Sequence, residues 1–242
     1  MLYLLTVQFE KIDQEKKTDL YYSILGAILN LFDNKKEIYD GIVKLSFSLD
    51  EYLNITITIV GTDVYEYIVN TLLKDSQKSI SVNRKILQLK QLKFKFETFS
   101  PNGIEYRDFD KFVLRFYSPT FVRQQKITHM LPNPSQFLTS VLHKLNTIFQ
   151  LNIDENHFKK WLKNTVYVGE FNLSTRLVKI KQGKKAGVVG ICTYYLSDKT
   201  HEENLRTLYI LLQSIKFLGM GSGTKLGCGS VSCFISKIKK NV

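Results

Sequence analysis

Apolar and polar residues alternate over short runs along this chain, and helical spacing takes over between those runs. Residues 2–10 are dominated by apolar, aromatic and β-branched types, which predicts a strand. Leu20, Ile24, Ala27, Ile28 and Leu31 recur at helical spacing over 18–32, with Thr18 or Asp19 as the cap. Alternation at 43–48 and again at 55–60 predicts two half-buried strands. Asp63 then caps a second helix to about Lys74, and strand-like segments return at 79–99. The order β-α-β-β-α-β is that of a ferredoxin-like unit.

The second half repeats that order. A strand is expected at 112–117, and Pro134 suits the start of a helix that runs to about Phe149. A short helix around 154–163 carries the only tryptophan, Trp161. Strands follow near 165–171, 174–181 and 187–196, with a turn at 182–185. A helix spans 202–217, and the last strand 231–238. The fold class is therefore α+β, two tandem ferredoxin-like domains at 1–100 and 112–242. Pro101-Asn102-Gly103 opens a linker over 101–111.

Charge changes the picture. Lys plus Arg number 34 against 22 Asp plus Glu, a net charge of +12, which suits a polyanion or an anionic surface as partner. No run of about 18 apolar residues predicts a membrane span. Three cysteines, Cys192, Cys228 and Cys233, lie at no paired metal spacing. They fit a reducing cytoplasm and no structural zinc site.

The densest chemistry lies just before the last strand, in Gly219-Met220-Gly221-Ser222-Gly223-Thr224-Lys225-Leu226-Gly227-Cys228-Gly229. Five of the 13 glycines fall in this run. Consecutive N–H groups in such a loop form an anion nest, and Lys225 adds a charge. Neither P-loop nor dinucleotide spacing is present, and the loop runs from helix to strand, so no helix N-terminus faces a ligand. A nucleotide cofactor is disfavoured. The bland alternative is a tight connection, since glycine is common at helix C-termini.

The loop resembles the signature of the CRISPR repeat endoribonucleases of the RAMP superfamily: Gly-hydrophobe-Gly, five residues, Gly-hydrophobe-Gly. Tyr117-Ser118-Pro119-Thr120-Phe121 and Leu131-Pro132-Asn133-Pro134 are similar to two further blocks of that family. Lys44-Leu45-Ser46-Phe47-Ser48 is similar to the strand after its first helix. The resemblance implies metal-independent cleavage of CRISPR precursor RNA into guide RNAs. A ribose 2′-OH attacks the adjacent phosphorus and leaves 2′,3′-cyclic phosphate and 5′-OH ends. It implies no cofactor and no metal, and CRISPR repeat RNA as partner. Effector-complex proteins and a homodimer stay open as further partners.

Members of the family usually carry a histidine between the first helix and the second strand. Here the four histidines are His129, His143, His157 and His201, and Tyr39 falls in that slot. A phenol is a poor base at neutral pH, so the expected constellation is Tyr39, Lys44 and Tyr22, with His129 as the alternative base. Tyr21 is a further candidate on the first helix, and Asp40 reads as a loop carboxylate. RNA contacts are expected from Gly219, Gly221, Gly223, Thr224, Lys225, Gly227 and Gly229, from Lys184 and Lys185, and from Arg123 and Lys126. Arg176, Lys179 and Lys181 would form a basic stripe on an open strand face. A non-catalytic repeat RNA-binding protein or an effector-complex subunit is the competing reading.

Overall fold

A computed structural model of the chain describes residues 1–11, 20–32, 35–74, 78–93, 97–124, 127–180, 183–197 and 201–238. The chain forms two compact units. The first comprises Met1–Ser100 with Leu177–Lys185 and Gly223–Cys228; the second comprises Pro101–Arg176, Ala186–Ser222 and Gly229–Val242.

The first unit contains β1 (Leu2–Phe9), α1 (Leu20–Leu31), α2 (Lys36–Gly41), β2 (Ile42–Leu49), β3 (Leu53–Val60), α3 (Thr62–Leu73), β4 (Ser79–Val82), β5 (Lys85–Lys93) and β6 (Thr98–Phe99). The sheet order is β2-β3-β1-β5-β4, with β6 also on β1. β1 runs antiparallel to β3 and to β5, and β2 antiparallel to β3. With β4 as an added edge, this is the ferredoxin-like arrangement. Strand periodicity puts Ile55, Ile57 and Ile59 on one face, where they join Leu5, Val7, Ile24 and Ile28 in the core.

The second unit is built on β7 (Lys111–Thr120), β8 (Val122–Gln124), β9 (Ile127–His129), α4 (Pro134–Phe149), α5 (Glu155–Thr165), β10 (Val166–Ile180) as far as Arg176, β11 (Gly183–Leu196) from Ala186, α6 (Glu202–Leu218) and β12 (Val231–Ser236). Its sheet order, β10-β11-β7-β12, repeats that of the first unit. Phe112, Leu114 and Phe116 of β7 point into the core, where Phe116 meets Phe137 of α4 edge-on. Helix α4 starts as expected: Pro134 opens it and the Asn133 side chain accepts from Ser135 N–H.

Several local expectations change. The strands expected at 165–171 and 174–181 are one continuous strand, β10. No glycine or proline breaks it at Asn172, and the partner strand makes room instead. Gly190 of β11 sits at φ +122°, where a Cβ would collide with the Asn172 carbonyl oxygen. Asp63 is not a cap: Gly61 precedes α3, and Asp63 lies in its first turn. Residues 101–111, read as a linker, count with the second unit. Phe109 there is buried beside Phe112 and Tyr209. Helix α2 and the β8–β9 hairpin are additional elements. The cap candidates Thr18 and Asp19 lie outside the described residues.

Candidate functional site

In the first unit, short helix α2 carries Tyr39 and Asp40 immediately before β2, and the segment Gly223–Cys228 packs against the same region. Lys225 joins them. Its Nζ donates to the Tyr39 carbonyl oxygen at 2.7 Å and lies 4.2 Å from the centre of the Tyr39 ring. The ammonium thus faces both a carbonyl dipole and the negative face of an aromatic ring. Burial holds the Lys225 pKa below the ordinary lysine value, and the nearby Asp40 carboxylate works against that shift. Tyr39 itself is 41% exposed.

The flanking residues fix this arrangement. Thr224, in a short 3-10 turn, donates its hydroxyl to the Val43 carbonyl oxygen of β2 at 3.2 Å. Gly227, at φ +93°, would place a Cβ 3.1 Å from both the Tyr21 and Phe47 rings. Those two rings meet edge-on at 4.9 Å. Tyr21 is therefore packed rather than presented to a ligand.

Lys44 differs from expectation. It is 6% exposed, on β2 opposite Thr58, and Thr58 Oγ1 is itself buried without a hydrogen-bond partner. Its ammonium is not presented at the surface beside Tyr39. Tyr22 lies on α1, but its side chain is outside the described residues, as is Lys126. Lys184 is exposed and Lys185 half-buried at the start of β11. His129, the alternative base, is half-buried on β9 in the second unit.

The glycine loop is held largely by its own backbone. Gly219, Gly221, Gly223, Gly227 and Gly229 all have positive φ, which explains each glycine conformationally. The N–H groups of Gly219, Met220, Ser222, Leu226, Gly227, Cys228 and Gly229 donate to backbone carbonyls, and that of Gly221 donates to Ser140 Oγ. These eight N–H groups are therefore engaged within the fold. Arg123 is exposed on β8, and its N–H donates to Ser222 Oγ at 3.1 Å.

Against known proteins, the sequence model of the CRISPR-associated endoribonuclease Cas6 family matches residues 114–231. Over that segment the chain is similar to the Cas6 family. This family of endoribonucleases includes solved structures that share the fold over nearly the whole length. A Cas6 product complex aligns with TM-score 0.80 at 20% identity, covering 96% of this chain and 99% of that chain. Thermus thermophilus Cas6 aligns with TM-score 0.76 at 18% identity, covering 97% and 98%. The product of a Cas6-related gene from Pyrococcus furiosus aligns with TM-score 0.55 at 12% identity, covering 100% and 99%. No curated protein matches the chain.

Sequence reasoning named Tyr39 and Lys225 but gave them separate roles. Nothing in the sequence links two residues 186 positions apart. Asp40, set aside as a loop carboxylate, is the charge that opposes the Lys225 shift.

Proposed function

We propose that this chain is a Cas6-type endoribonuclease that binds CRISPR repeat RNA and cleaves the precursor transcript without a metal ion, at Tyr39 and Lys225. The observation that carries the reading is the Lys225 ammonium seated over the Tyr39 ring, on the helix that directly precedes β2. The Tyr39 hydroxyl orients the ribose 2′-OH. The 2′-oxygen attacks the adjacent phosphorus as its proton passes to solvent. The bond to the 5′-oxygen breaks, and that oxygen takes a proton from water. A 2′,3′-cyclic phosphate and a 5′-OH remain. Lys225 offsets negative charge on the phosphoryl oxygens during the attack.

The test is single-turnover cleavage of labelled repeat RNA in EDTA. Tyr39→Phe keeps the ring and removes the hydroxyl, and it should slow cleavage about two- to tenfold, since a hydrogen bond that orients the nucleophile contributes about 0.5–1.5 kcal/mol. An unchanged rate removes Tyr39 from the mechanism. The absence of histidine before residue 129 favours one second reading, a repeat RNA-binding member that does not cut. A gel shift without product would establish it.

A further inference from the structure

The second unit holds a pocket that the proposed cleavage chemistry does not use. On α5, His157, Lys160, Trp161 and Asn164 recur at i, i+3, i+4 and i+7, so they share one helix face. That face and two residues at the start of α6, His201 and Asn204, line a pocket of about 380 Å³. His201 is the N-cap of α6 and makes no side-chain cap, so the positive end of a 17-residue helix borders the pocket. Trp161 is 7% exposed, and its indole N–H is buried without a hydrogen-bond partner. Its ring stacks on Phe158 with centroids 5.5 Å apart. Acceptors at the end of α5 are already taken. Ser197 donates its hydroxyl to the Asn164 carbonyl oxygen at 3.2 Å and its N–H to the Thr165 carbonyl oxygen at 2.9 Å.

Leaving a buried donor unsatisfied is costly, and native structures seldom do so. Here the donor lies in a wall made of other donors: the Lys160 ammonium, two imidazoles and two side-chain amides. Among the described residues, no carboxylate lines this pocket. Asp154, Glu202 and Glu203 line an adjoining hollow that shares His157 and His201 with it. Asp154 there already accepts from the Asn156 and His157 N–H groups, and Glu202 pairs with Arg206 at 2.7 Å. The volume falls at the small end of ligand pockets, roughly 300–1,000 Å³, which leaves room for an organic body behind an anionic group. We infer that the α5–α6 pocket binds a small organic phosphate or carboxylate through its oxyanion, with Trp161 Nε1–H and Lys160 as donors. The site lies wholly within the second unit.

Trp161 is the only tryptophan in the chain, so intrinsic fluorescence of the full chain reads this pocket alone. The probes are inorganic phosphate and acetate, each titrated at ionic strength held constant with chloride. A saturable change in emission is expected. Saturation by phosphate alone assigns a phosphate ligand, and saturation by acetate a carboxylate. Lys160→Gln, an exposed position, should weaken the same titration roughly tenfold, the low end for a hydrogen bond to a charged group. Trp161→Phe keeps the stack on Phe158 and removes the N–H; followed by calorimetry, it should weaken binding about as much. Lys163→Gln removes an exposed charge from α5 outside the pocket and should leave the affinity unchanged. Emission that fails to saturate with either anion overturns the inference. Equal weakening by Lys163→Gln overturns it too, because net charge alone would then hold the anion. So does wild-type affinity in both Lys160→Gln and Trp161→Phe. Lys160→Gln changes only a surface side chain, so the test survives if Trp161→Phe fails to fold.

Discussion

The Tyr39–Lys225 contact can be taken apart by a double-mutant cycle, because Lys225 touches two different parts of Tyr39. Its hydrogen bond goes to the backbone carbonyl, which survives any side-chain change. Its cation–π contact goes to the ring, which Tyr39→Leu removes. Lys225→Met removes both. A hydrogen bond from a charged group contributes about 1.5–3 kcal/mol, and a cation–π pair about 0.5–2 kcal/mol depending on desolvation. Burial opposes the Lys225 charge, so methionine also relieves a penalty, and the single-mutant loss falls below the sum of those two gains. The cycle cancels the penalty and the carbonyl bond, leaving a coupling of about 0.5–2 kcal/mol. The only tryptophan, Trp161, lies in the second unit, so its fluorescence reports the wrong region. Native-state hydrogen exchange at the α2 amides measures opening where the contact acts. A coupling inside the additivity scatter of roughly 0.3–0.5 kcal/mol would refute the pairing.

Four further outcomes follow from the same geometry. Gly227→Ala should destabilise the first unit by about 1–3 kcal/mol in urea unfolding, through positive-φ strain and crowding of Tyr21 and Phe47; an unperturbed midpoint contradicts the packing described. Lys225 has a lowered folded pKa, so the unfolded chain binds its proton more tightly. Stability relative to Lys225→Met should therefore rise with pH up to the unfolded lysine pKa near ~10.4, and a flat difference from neutral pH upward would argue against it. Burial pushes the Cys228 thiol up to about 12, so its contribution is complete below the unfolded thiol pKa near ~8.5 and is lost as pH rises toward the folded value; Cys228→Ala should flatten that alkaline loss. Asn133→Ala should cost the second unit about 1 kcal/mol, read from the thermal midpoint, because the Asn133 side chain caps α4.

Both ferredoxin-like units were legible because their strands and long helices carry clean periodicity. Ile55, Ile57 and Ile59 alternate into one core, and Phe137, Val141, Leu142 and Leu145 line one helix face of the other. What escaped has a physical reason in each case. Helix α2 is six residues long with no side-chain cap, so neither periodicity nor capping marks it, yet it carries Tyr39. The continuity of β10 through Phe171-Asn172-Leu173-Ser174 depends on Gly190 in a different strand, and single-strand composition cannot report that.

The candidate site shows the same limit more sharply. Five glycines around a lysine suggested a loop that offers its N–H groups and its charge to phosphate. The glycines instead satisfy positive φ, most of the N–H groups close on the chain itself, and the lysine reaches Tyr39. Composition marked the loop but could not report these internal partners, because hydrogen-bond satisfaction is a property of the closed loop. A motif that reads as a ligand cradle can thus act first as a clamp, fixing one charged side chain beside an aromatic ring.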